Sequence, residues 1–362
     1  MPKKLIIAAT TARGYAIAAV DCGYEVITLD AFADADLTRV ASQAYKVKML
    51  DWHLDVEDFK LQFAKINLSN VDGFCYGSLF DAAPELLDWV AARIPLIGNT
   101  PEVLKKAKAL SFFGLLDDLH ILHPHVRKDF PAAPLHWLAK QIGGSGGMHI
   151  QPASHNISAD YYQQEVIGDS FSMLFVANGE VMWPIGFNLQ FAAATSELPY
   201  RFAGAVGGMK LPEAVEQAFC KAAQQLTSAM GLRGINSLDA VLEGETLWIL
   251  ELNPRLSASF ELYPNLMSAH LQRCVGNLTQ LPVFAVSKAQ LILYADDVLV
   301  IPVDFVWPAW VVDIPPADEV SNSIVIEKNA PICSVRAEAE SAELALILVN
   351  QRIKILKEMI LI

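Results

Sequence analysis

The first hundred residues alternate short apolar runs with segments of helical spacing. Residues 3–10 form an apolar run, residues 12–23 have helical spacing, and residues 24–32 form a second apolar run. A further run, VDGFCYGS at 71–78, precedes another helical segment. Apolar strands that alternate with helices are typical of a parallel sheet covered on both faces. We therefore predict an open parallel α/β layer for residues 1–100.

The pattern changes after residue 100. Residues 100–119 predict one helix or two, with Thr100 and Pro101 placed as cap and first-turn residues. Further on, alternating apolar positions on both sides of Asn178-Gly179 predict a β-hairpin, since Asn-Gly favours a tight turn. The middle of the chain is therefore predicted to be antiparallel sheet.

Three more elements complete the pattern. Residues 212–231 predict an amphipathic helix that ends at Gly231. Residues 235–254, INSLDAVLEGETLWILELNP, predict two strands joined by the EGET turn. The last eighty residues alternate short apolar runs with prolines and close on a helical run, so we predict a β-rich C-terminal region with a terminal helix.

Composition indicates a globular protein without a membrane segment. Apolar residues make up 53% of the 362 residues and charged residues 19%, but no apolar run approaches the roughly 20 residues of a spanning helix. The N-terminal run resembles a signal peptide, yet Arg13 interrupts it where a strand-to-helix turn is predicted. We expect a cytoplasmic protein. The apolar stretch 298–312 could cover a partner or form a buried strand pair, so homo-oligomerisation is left open.

Charge and cysteine content exclude several classes of site. The formal net charge of −13 argues against a general nucleic-acid binder, which needs clustered Lys and Arg. The five cysteines are scattered and odd in number, so neither a disulfide framework nor a zinc knuckle is indicated. The HILHPH segment at 120–125 is predicted to be a loop, because Pro124 disrupts metal-ligand spacing.

The strand that begins at Leu247 ends in polar residues. Glu251, Asn253 and Arg255 alternate along it, and alternate residues of a strand share a face. The EGET turn would bring Asp239 of the preceding strand beside Glu251. Two carboxylates and an amide oxygen are ligands that Mg²⁺ prefers, and an arginine beside them can stabilise a phosphoryl group. The competing interpretation is a solvated strand end with a salt bridge.

A second group combines a lysine with a glycine-rich loop. Lys140 ends the strand WLAK, and residues 143–147, GGSGG, follow it. Glycines let backbone N–H groups approach phosphate oxygens, and the lysine adds a positive charge. A flexible hairpin turn explains the glycines equally well. The strand QQEVIG, which leaves through Gly168, could present backbone groups to an adenine edge.

The order of these elements resembles the ATP-grasp superfamily over nearly the whole chain. This resemblance implies an α/β and α+β fold: a pre-ATP-grasp α/β domain at 1–100, a nucleotide-binding region at 101–275 with a small lid subdomain at about 125–170, and a C-terminal completion at 276–362. Two segments, GNTPEVL and NAPICSVRAEAESAELALILVNQRI, are similar to a subgroup of predicted ATP-dependent carboligases. That subgroup includes relatives of tyramine–glutamate ligase and ligases of one-carbon-cofactor biosynthesis.

The resemblance implies roles for particular positions. Lys140 and Arg255 would act on the transferring phosphoryl group. The expected metal ligands are Asp239, Glu251 and Asn253. The expected ATP contacts are Lys108, Lys140, Gly143, Gly144, Ser145, Gly146, Gly147, Gln164, Glu165, Val166, Ile167 and Ser170. Lys105 and Lys106 compete with Lys108 for the helix position, and Ser170 stands where many members of the superfamily have a ribose-binding glutamate.

The implied activity is ATP-dependent ligation of a small carboxylate to a small amine, with an acyl phosphate as intermediate. Its expected cofactors are ATP and two Mg²⁺ ions, with Mn²⁺ as an alternative metal. A non-catalytic nucleotide-binding or regulatory homologue is the competing hypothesis, and Ser170 supports it. A dehydrogenase based on the first layer rests on fold analogy alone, because that layer lacks G-x-G-x-x-G.

Three polar residues are predicted near the substrates. Arg13 and Asp81 each follow a predicted strand of the first layer, at the edge where α/β sheets bind ligands. Arg201 lies in the glycine-rich segment 200–210. Surface or helix-cap roles compete with substrate contact for the first two, because loop ends are rich in polar groups.

Overall fold

The computed structural model describes residues 3–50, 53–274, 284–317 and 323–360. Within these ranges no helix is both long enough and apolar enough to span a membrane. The domain boundaries expected near residues 100 and 275 stay a prediction.

A four-stranded parallel sheet opens the chain, in the order β3-β2-β1-β6. Its strands and the short pair β4 and β5 are β1 (Lys3–Ala9), β2 (Tyr24–Asp30), β3 (Gln43–Lys46), β4 (Met49–Leu50), β5 (His53–Leu54) and β6 (Val71–Tyr76). The helices around it are α1 (Arg13–Asp21), α2 (Ala35–Thr38), α3 (Val56–Phe63) and α4 (Pro84–Ala91). The continuous apolar runs predicted this arrangement, because both faces of the central strands are buried.

Two short helices lead out of this layer. They are α5 (Pro101–Lys108) and α6 (Ser111–Asp118), and the extended backbone of Ala109 separates them. The sequence left one helix or two open, and the structure has two. Helix α6 places its apolar residues, including Phe112 and Leu116, in the core below the large sheet.

A small antiparallel sheet follows, in the order β7-β10-β8-β9. Its strands are β7 (Val126–Arg127), β8 (Trp137–Lys140), β9 (Gln151–Pro152) and β10 (Tyr161–Gln164). Residues 121–125 contain neither helix nor strand, which confirms the loop predicted for HILHPH. The prediction of one strand running through QQEVIG to Gly168 was wrong. The strand ends at Gln164 because residues 165–168 cross from the small sheet to the next, larger one.

The rest of the described chain forms a large sheet, a two-stranded ribbon, a short 3₁₀ helix (Ala258–Leu262) and three α-helices. The strands are β11 (Asp169–Asn178), β12 (Met182–Ala192), β13 (Phe202–Met209), β14 (Arg233–Glu243), β15 (Thr246–Asn253), β16 (Ser287–Tyr294), β17 (Leu299–Pro302), β18 (Val311–Val312), β19 (Ser323–Ile326) and β20 (Pro331–Ala339). The helices are α7 (Glu213–Met230), α8 (Leu266–Cys274) and α9 (Ala342–Ile360).

The large sheet has the order β15-β14-β11-β12-β13-β16-β20-β18. The hairpin at Asn178-Gly179 joins β11 to β12 as predicted, with a positive φ at the glycine. Helix α7 ends at Gly231 in the left-handed conformation, also as predicted, and its Phe219 packs in the core with α6. Strand β16 pairs with β13, so the C-terminal strands extend the same sheet.

Candidate functional site

The β14–β15 hairpin brings the predicted carboxylates together. Its turn sets a regular register from Glu243 opposite Thr246, which if continued would place Asp239 opposite Leu250. A β-bulge at Leu250 shifts that register by one residue, so Glu251 pairs with Asp239. The bulge also changes which positions face the core. Before it the odd-numbered Leu247 and Ile249 are buried, whereas after it Leu252 is buried and Glu251 faces the other side.

Asn253 links the two carboxylates. Its Nδ2 atom donates to Asp239 Oδ2 at 3.1 Å and to Glu251 Oε1 at 3.2 Å. Its Oδ1 atom accepts from Lys108 Nζ at 2.7 Å and from Arg255 Nη2 at 2.9 Å. One amide therefore joins two anions and two cations into a single cluster.

Lys108 is the helix lysine that reaches this cluster. It ends α5, and its ammonium lies 3.4 Å from Glu251 Oε2 and 3.4 Å from Asp81 Oδ2. Of its competitors, Lys105 forms an ion pair with Asp88, and Lys106 is exposed. Only Lys108 of the three lines the cleft described below.

Lys140 lies on the neighbouring small sheet and is 7% exposed. Its Nζ atom donates to Gln163 Oε1 at 2.7 Å. Burial lowers the pKa of Lys140, and the charge of Lys108 adds to that effect while Glu251 opposes it. Sequence reasoning missed Gln163. The signal was the register, because Tyr161 pairs with Lys140 and Gln163 lies two residues further along the same face.

Arg255 follows the strand, after Pro254, and is held by Asp81. Its Nε atom lies 3.0 Å from Asp81 Oδ1 and its Nη2 atom 2.5 Å from Asp81 Oδ2. Asp81 is 1% exposed and contacts Lys108 as well. The structure therefore places Asp81 against two cations of the site, rather than facing the cleft where a substrate contact was expected.

We call Lys108, Lys140, Arg255, Asp81, Asp239, Glu251 and Asn253 the inner cluster. Burial raises the pKa of Asp239, and the neighbouring Glu251 raises it further. Burial also acts to raise the pKa of Glu251, but Lys108, Lys140 and Arg255 outweigh it and hold that pKa low. The two paired carboxyls thus differ in proton affinity, because the cations lie nearer Glu251.

The inner cluster fits a hard divalent cation. Asp239 Oδ1 is buried and has no hydrogen-bond partner among the described residues. Among the described residues no three Asp, Glu, His or Cys side chains group as metal ligands. For Asn253 to be a third donor, its amide oxygen, which accepts from Lys108 and Arg255, would have to turn towards the two carboxylates. Two carboxylates and one amide leave coordination positions for water and phosphate oxygens, as Mg²⁺ sites commonly do.

A cleft of about 950 Å³ lies between the inner cluster and the glycine-rich loop. All five residues of GGSGG line it. A Cβ atom at Gly143 would lie 2.4 Å from the carbonyl oxygen of Asp81, and one at Gly147 would lie 1.8 Å from that of Tyr200. Both glycines have positive φ, so side chains are excluded by space and by backbone conformation.

The segment expected to hold adenine borders the same cleft. Gln164, Glu165 and Val166 line it, whereas Ile167 is 68% exposed and does not. Tyr200 Oη donates to Glu165 Oε1 at 2.6 Å. Ser170, at the expected ribose position, also lines the cleft and donates to Gln190 Oε1 at 3.0 Å.

The other end of the cleft adjoins the parallel sheet, and Arg13 lies behind it without lining it. This arginine is fully buried, and its Nη2 atom lies 2.7 Å from Glu261 Oε2 while its Nε atom lies 2.7 Å from Asp313 Oδ1. Glu261 and Asp313 line the cleft. Sequence reasoning missed both, since Glu261 lies in a short 3₁₀ helix and Asp313 in a connecting segment, each hundreds of residues from Arg13.

Arg201 is not brought to the cleft. It is 4% exposed, donates to the carbonyl oxygens of Ala193 and Asn329, and stacks 3.8 Å above the ring of Tyr294. These contacts fasten the β12–β13 connection to the C-terminal strands.

Comparison with known proteins agrees with this geometry. The family described as "ATP-grasp domain" matches residues 111–259, which include Lys140, the glycine-rich loop and the whole β14–β15 hairpin. This middle part of the chain is therefore similar to an ATP-grasp domain. No curated protein matches the sequence significantly.

Solved structures with the ATP-grasp fold align over almost the whole chain. N5-carboxyaminoimidazole ribonucleotide synthetase from Thermotoga maritima is 12% identical, with a TM-score of 0.69 over 97% of this chain and 98% of that one. A biotin carboxylase–ATP complex from Campylobacter jejuni is also 12% identical, with a TM-score of 0.71 over 96% of this chain and 90% of that one. L-amino acid ligase from Bacillus licheniformis is 12% identical, with a TM-score of 0.68 over 96% of each chain. At such identities the likeness establishes the fold.

Proposed function

We propose that the protein is an ATP-dependent ligase that joins a carboxylate to an amine and releases ADP and phosphate. The observation that carries this proposal is the inner cluster, in which Asp239, Glu251 and Asn253 meet cations across a cleft from the glycine-rich loop. The names of the structural neighbours, a synthetase, a carboxylase and an amino acid ligase, support ligation as the reaction class.

The nucleotide would lie along the cleft. The backbone N–H groups of residues 143–147 would approach its phosphates, with Lys108 and Lys140 supplying positive charge. Gln164, Glu165 and Val166 would face the adenine, and Ser170 with Gln190 the ribose. Asp239, Glu251 and Asn253 would hold Mg²⁺, as two ions, or Mn²⁺. The metal supplies charge neutralisation at the phosphate oxygens.

The chain's own residues then have definite tasks in two transfers. In the first, a substrate carboxylate oxygen attacks the γ-phosphorus, the bond to ADP breaks, and an acyl phosphate forms. Arg255, held rigidly by Asp81, would balance the charge on the transferring group. In the second, the amine nitrogen attacks the acyl carbon, the bond to phosphate breaks, and the nitrogen loses a proton. Neither transfer requires a side-chain nucleophile.

A specific residue favours the second candidate, a non-catalytic nucleotide-binding homologue. Ser170 replaces the glutamate that many ATP-grasp proteins use for ribose, and its hydroxyl is bonded to Gln190. The pair still presents polar atoms to the cleft, so we favour the active ligase. A role in making a one-carbon-carrier cofactor follows from the subgroup resemblance alone and forms part of this proposal.

ADP formation tests the proposal. The purified chain is incubated with ATP, MgCl₂ and a panel of carboxylates and amines, and ADP is followed by a coupled assay. Glu251→Gln should lower the rate at least about 100-fold, because it removes a cation ligand acting on the transferring group. Glu245→Gln, on the exposed turn of the same hairpin, is the matched control and should keep full activity. Full activity of Glu251→Gln would refute the assignment.

Magnesium-dependent ATP binding without ADP release from any acid and amine pair would instead favour the non-catalytic homologue.

A further inference from the structure

The terminal helix α9 is apolar on more faces than its packing uses. Its sequence contains the unbroken apolar run 344–349, LALILV, and a run longer than one helical turn must place apolar side chains all round the helix. One face, with Ala345, Val349 and Leu356, is buried in the core that α9 shares with β16 and β20. Apolar positions on a second face are left in solvent.

Four large apolar side chains form one exposed stripe on that second face. They are Leu344, Ile347, Ile355 and Met359, which are 50%, 54%, 49% and 39% exposed. Together with the exposed Gln351 they follow one another at steps of three or four residues, so they lie on one face of the helix. Single exposed apolar residues are ordinary, whereas a continuous stripe of them is typical of a surface that another chain covers. We call these five residues the α9 stripe.

The α9 stripe is arranged symmetrically about Gln351. Ile347 lies four residues before it and Ile355 four residues after it. If two copies of the helix pack antiparallel with Gln351 at their crossing, Ile347 of each copy meets Ile355 of the other. The two Gln351 amides then face each other, and each can donate to and accept from its copy. The stripe is therefore complementary to itself.

The charges beside the stripe favour the same antiparallel pairing. Glu343 is exposed at the N-terminal end of α9, and the C-terminal end exposes Lys354, Lys357 and Glu358. Antiparallel packing brings Glu343 of each copy to the end that carries the two lysines, whereas parallel packing would place like charges side by side. The partial charges at the helix ends add to this preference, because opposite ends become neighbours.

An apolar patch lies beside the C-terminal end of the stripe. Lys357 Nζ lies 3.8 Å from Asp296 Oδ2, so the last turns of α9 adjoin the chain that enters β17. There Val300 of β17 pairs directly with Val325 of β19, and the two are 60% and 49% exposed. A stable interface buries about 800 Å² on each partner, and these valines enlarge the apolar surface available to reach it.

We propose that the protein forms a two-fold dimer in which the α9 stripes of two copies pack antiparallel, with Gln351 at the axis. The partner is a second copy rather than a different protein, because the isoleucines, the central amide and the charges all match their own reversed order. Such a pairing closes on itself and leaves no free stripe for a third copy. The dimer is independent of the proposed ligase function. It would also brace β16 and β20, whose Gln290 and Ser334 line the cleft.

The mass of the full chain in solution tests the dimer. Sedimentation equilibrium over a wide range of concentration should give twice the mass of one chain. Ile347→Lys should raise the dissociation constant at least about 100-fold, because the two-fold axis places the unpaired charge in the interface twice. Leu61→Lys on α3, where Leu61 is 66% exposed, is the matched control and should leave the constant unchanged. Circular dichroism checks that both variants fold.

Cross-linking locates the axis. A short bismaleimide should join two copies of Gln351→Cys, because helices in contact lie about 8 to 10 Å apart. Leu344→Cys is the matched control, since antiparallel packing separates the two copies of that position by about 21 Å along the helices. Cys22 is exposed in every variant, so the unsubstituted chain gives the background of the reaction. Parallel packing would instead cross-link both variants.

Every outcome bears on the dimer. A dimer that Ile347→Lys dissociates and that Gln351→Cys cross-links supports it. A monomer at every concentration would leave the stripe to another protein and overturn it, as would a dimer that tolerates Ile347→Lys or cross-links through Leu344→Cys. Should Ile347→Lys fail to fold, the comparison of Gln351→Cys with Leu344→Cys decides alone.

Discussion

The two ends of the cleft solve the problem of buried charge differently. In the inner cluster two of the three anions have a cation within hydrogen-bond or ion-pair reach, since Asp81 contacts Arg255 and Lys108, and Glu251 contacts Lys108. Near Arg13, by contrast, one guanidinium is shared by Glu261, Asp313 and Asp36, and the pKa of the buried Asp34 is raised by burial and by neighbouring carboxyls. Balanced charge positions side chains before any ligand arrives, whereas unbalanced charge costs folding energy that a ligand can recover.

The largest expected effect is at the balanced end. Asp81→Asn leaves Arg255 and Lys108 without their shared buried anion, so the free energy of unfolding should fall by about 3 kcal/mol. Asp88→Asn removes an exposed aspartate–lysine pair and should cost less than about 1 kcal/mol. Urea denaturation of both variants measures the difference. Equal losses would show that the inner cluster is no more tightly coupled than the surface.

The next effect concerns the nucleotide. Lys140→Gln removes a buried positive charge from the cleft and should weaken Mg-ATP binding about tenfold or more, because contacts of charged groups with phosphate are strong. Lys106→Gln on α5 removes an exposed lysine and is the control. Calorimetric titration with Mg-ATP gives both constants. Unchanged affinity in Lys140→Gln would remove this lysine from the ATP site.

A smaller effect is expected in the loop that covers the inner cluster. Gly147→Ala places a methyl group against the carbonyl oxygen of Tyr200 at positive φ, so the loop must shift and stability should fall by about 1 to 2 kcal/mol. Gly114→Ala, in α6 where the space is open, should be neutral or stabilising by up to about 1 kcal/mol. Thermal unfolding compares them, and a neutral Gly147→Ala would mean that the loop has a second conformation.

The smallest expected effect concerns the buried Asp34. The folded pKa of Asp34 lies above the unfolded value, so the folded state retains a proton that the unfolded chain has lost. Asp34 therefore destabilises the folded state increasingly as pH rises from about 4 towards 9. Asp34→Asn should stabilise the protein at pH 8 by on the order of 1 kcal/mol, and the gain should vanish near pH 4. A gain that is constant with pH would contradict the charge explanation.

Local patterns predicted the elements of the site better than its assembly. Apolar runs, Gly231 and Asn178-Gly179 predicted strands, a helix end and a hairpin, because each depends on neighbouring residues alone. The EGET turn likewise indicated that Asp239 and Glu251 lie on paired strands. Contacts such as Arg255 with Asp81 were not predictable, since they join separate segments whose packing no local rule describes.

The surroundings of Arg13 were the least predictable region. Arg13 was identified by its position after a strand, but nothing in its neighbourhood indicates Glu261 or Asp313, which lie hundreds of residues away in the sequence. The strand predicted through QQEVIG failed for a related reason: the pattern indicates extended chain but not which sheet each half joins. Burial of Asp34 depends on the same long-range packing.

The extra residue in β15 has a consequence for comparing sequences. Because β15 has one extra residue at Leu250, Glu251 pairs with Asp239, and without that residue Glu251 would face the opposite side of the sheet. An alignment that closes this position as a gap would match the motif letters while assigning the acids to different faces. The number of residues between the aspartate and the glutamate should therefore distinguish hairpins that place both carboxylates on one face from hairpins that only share the sequence motif.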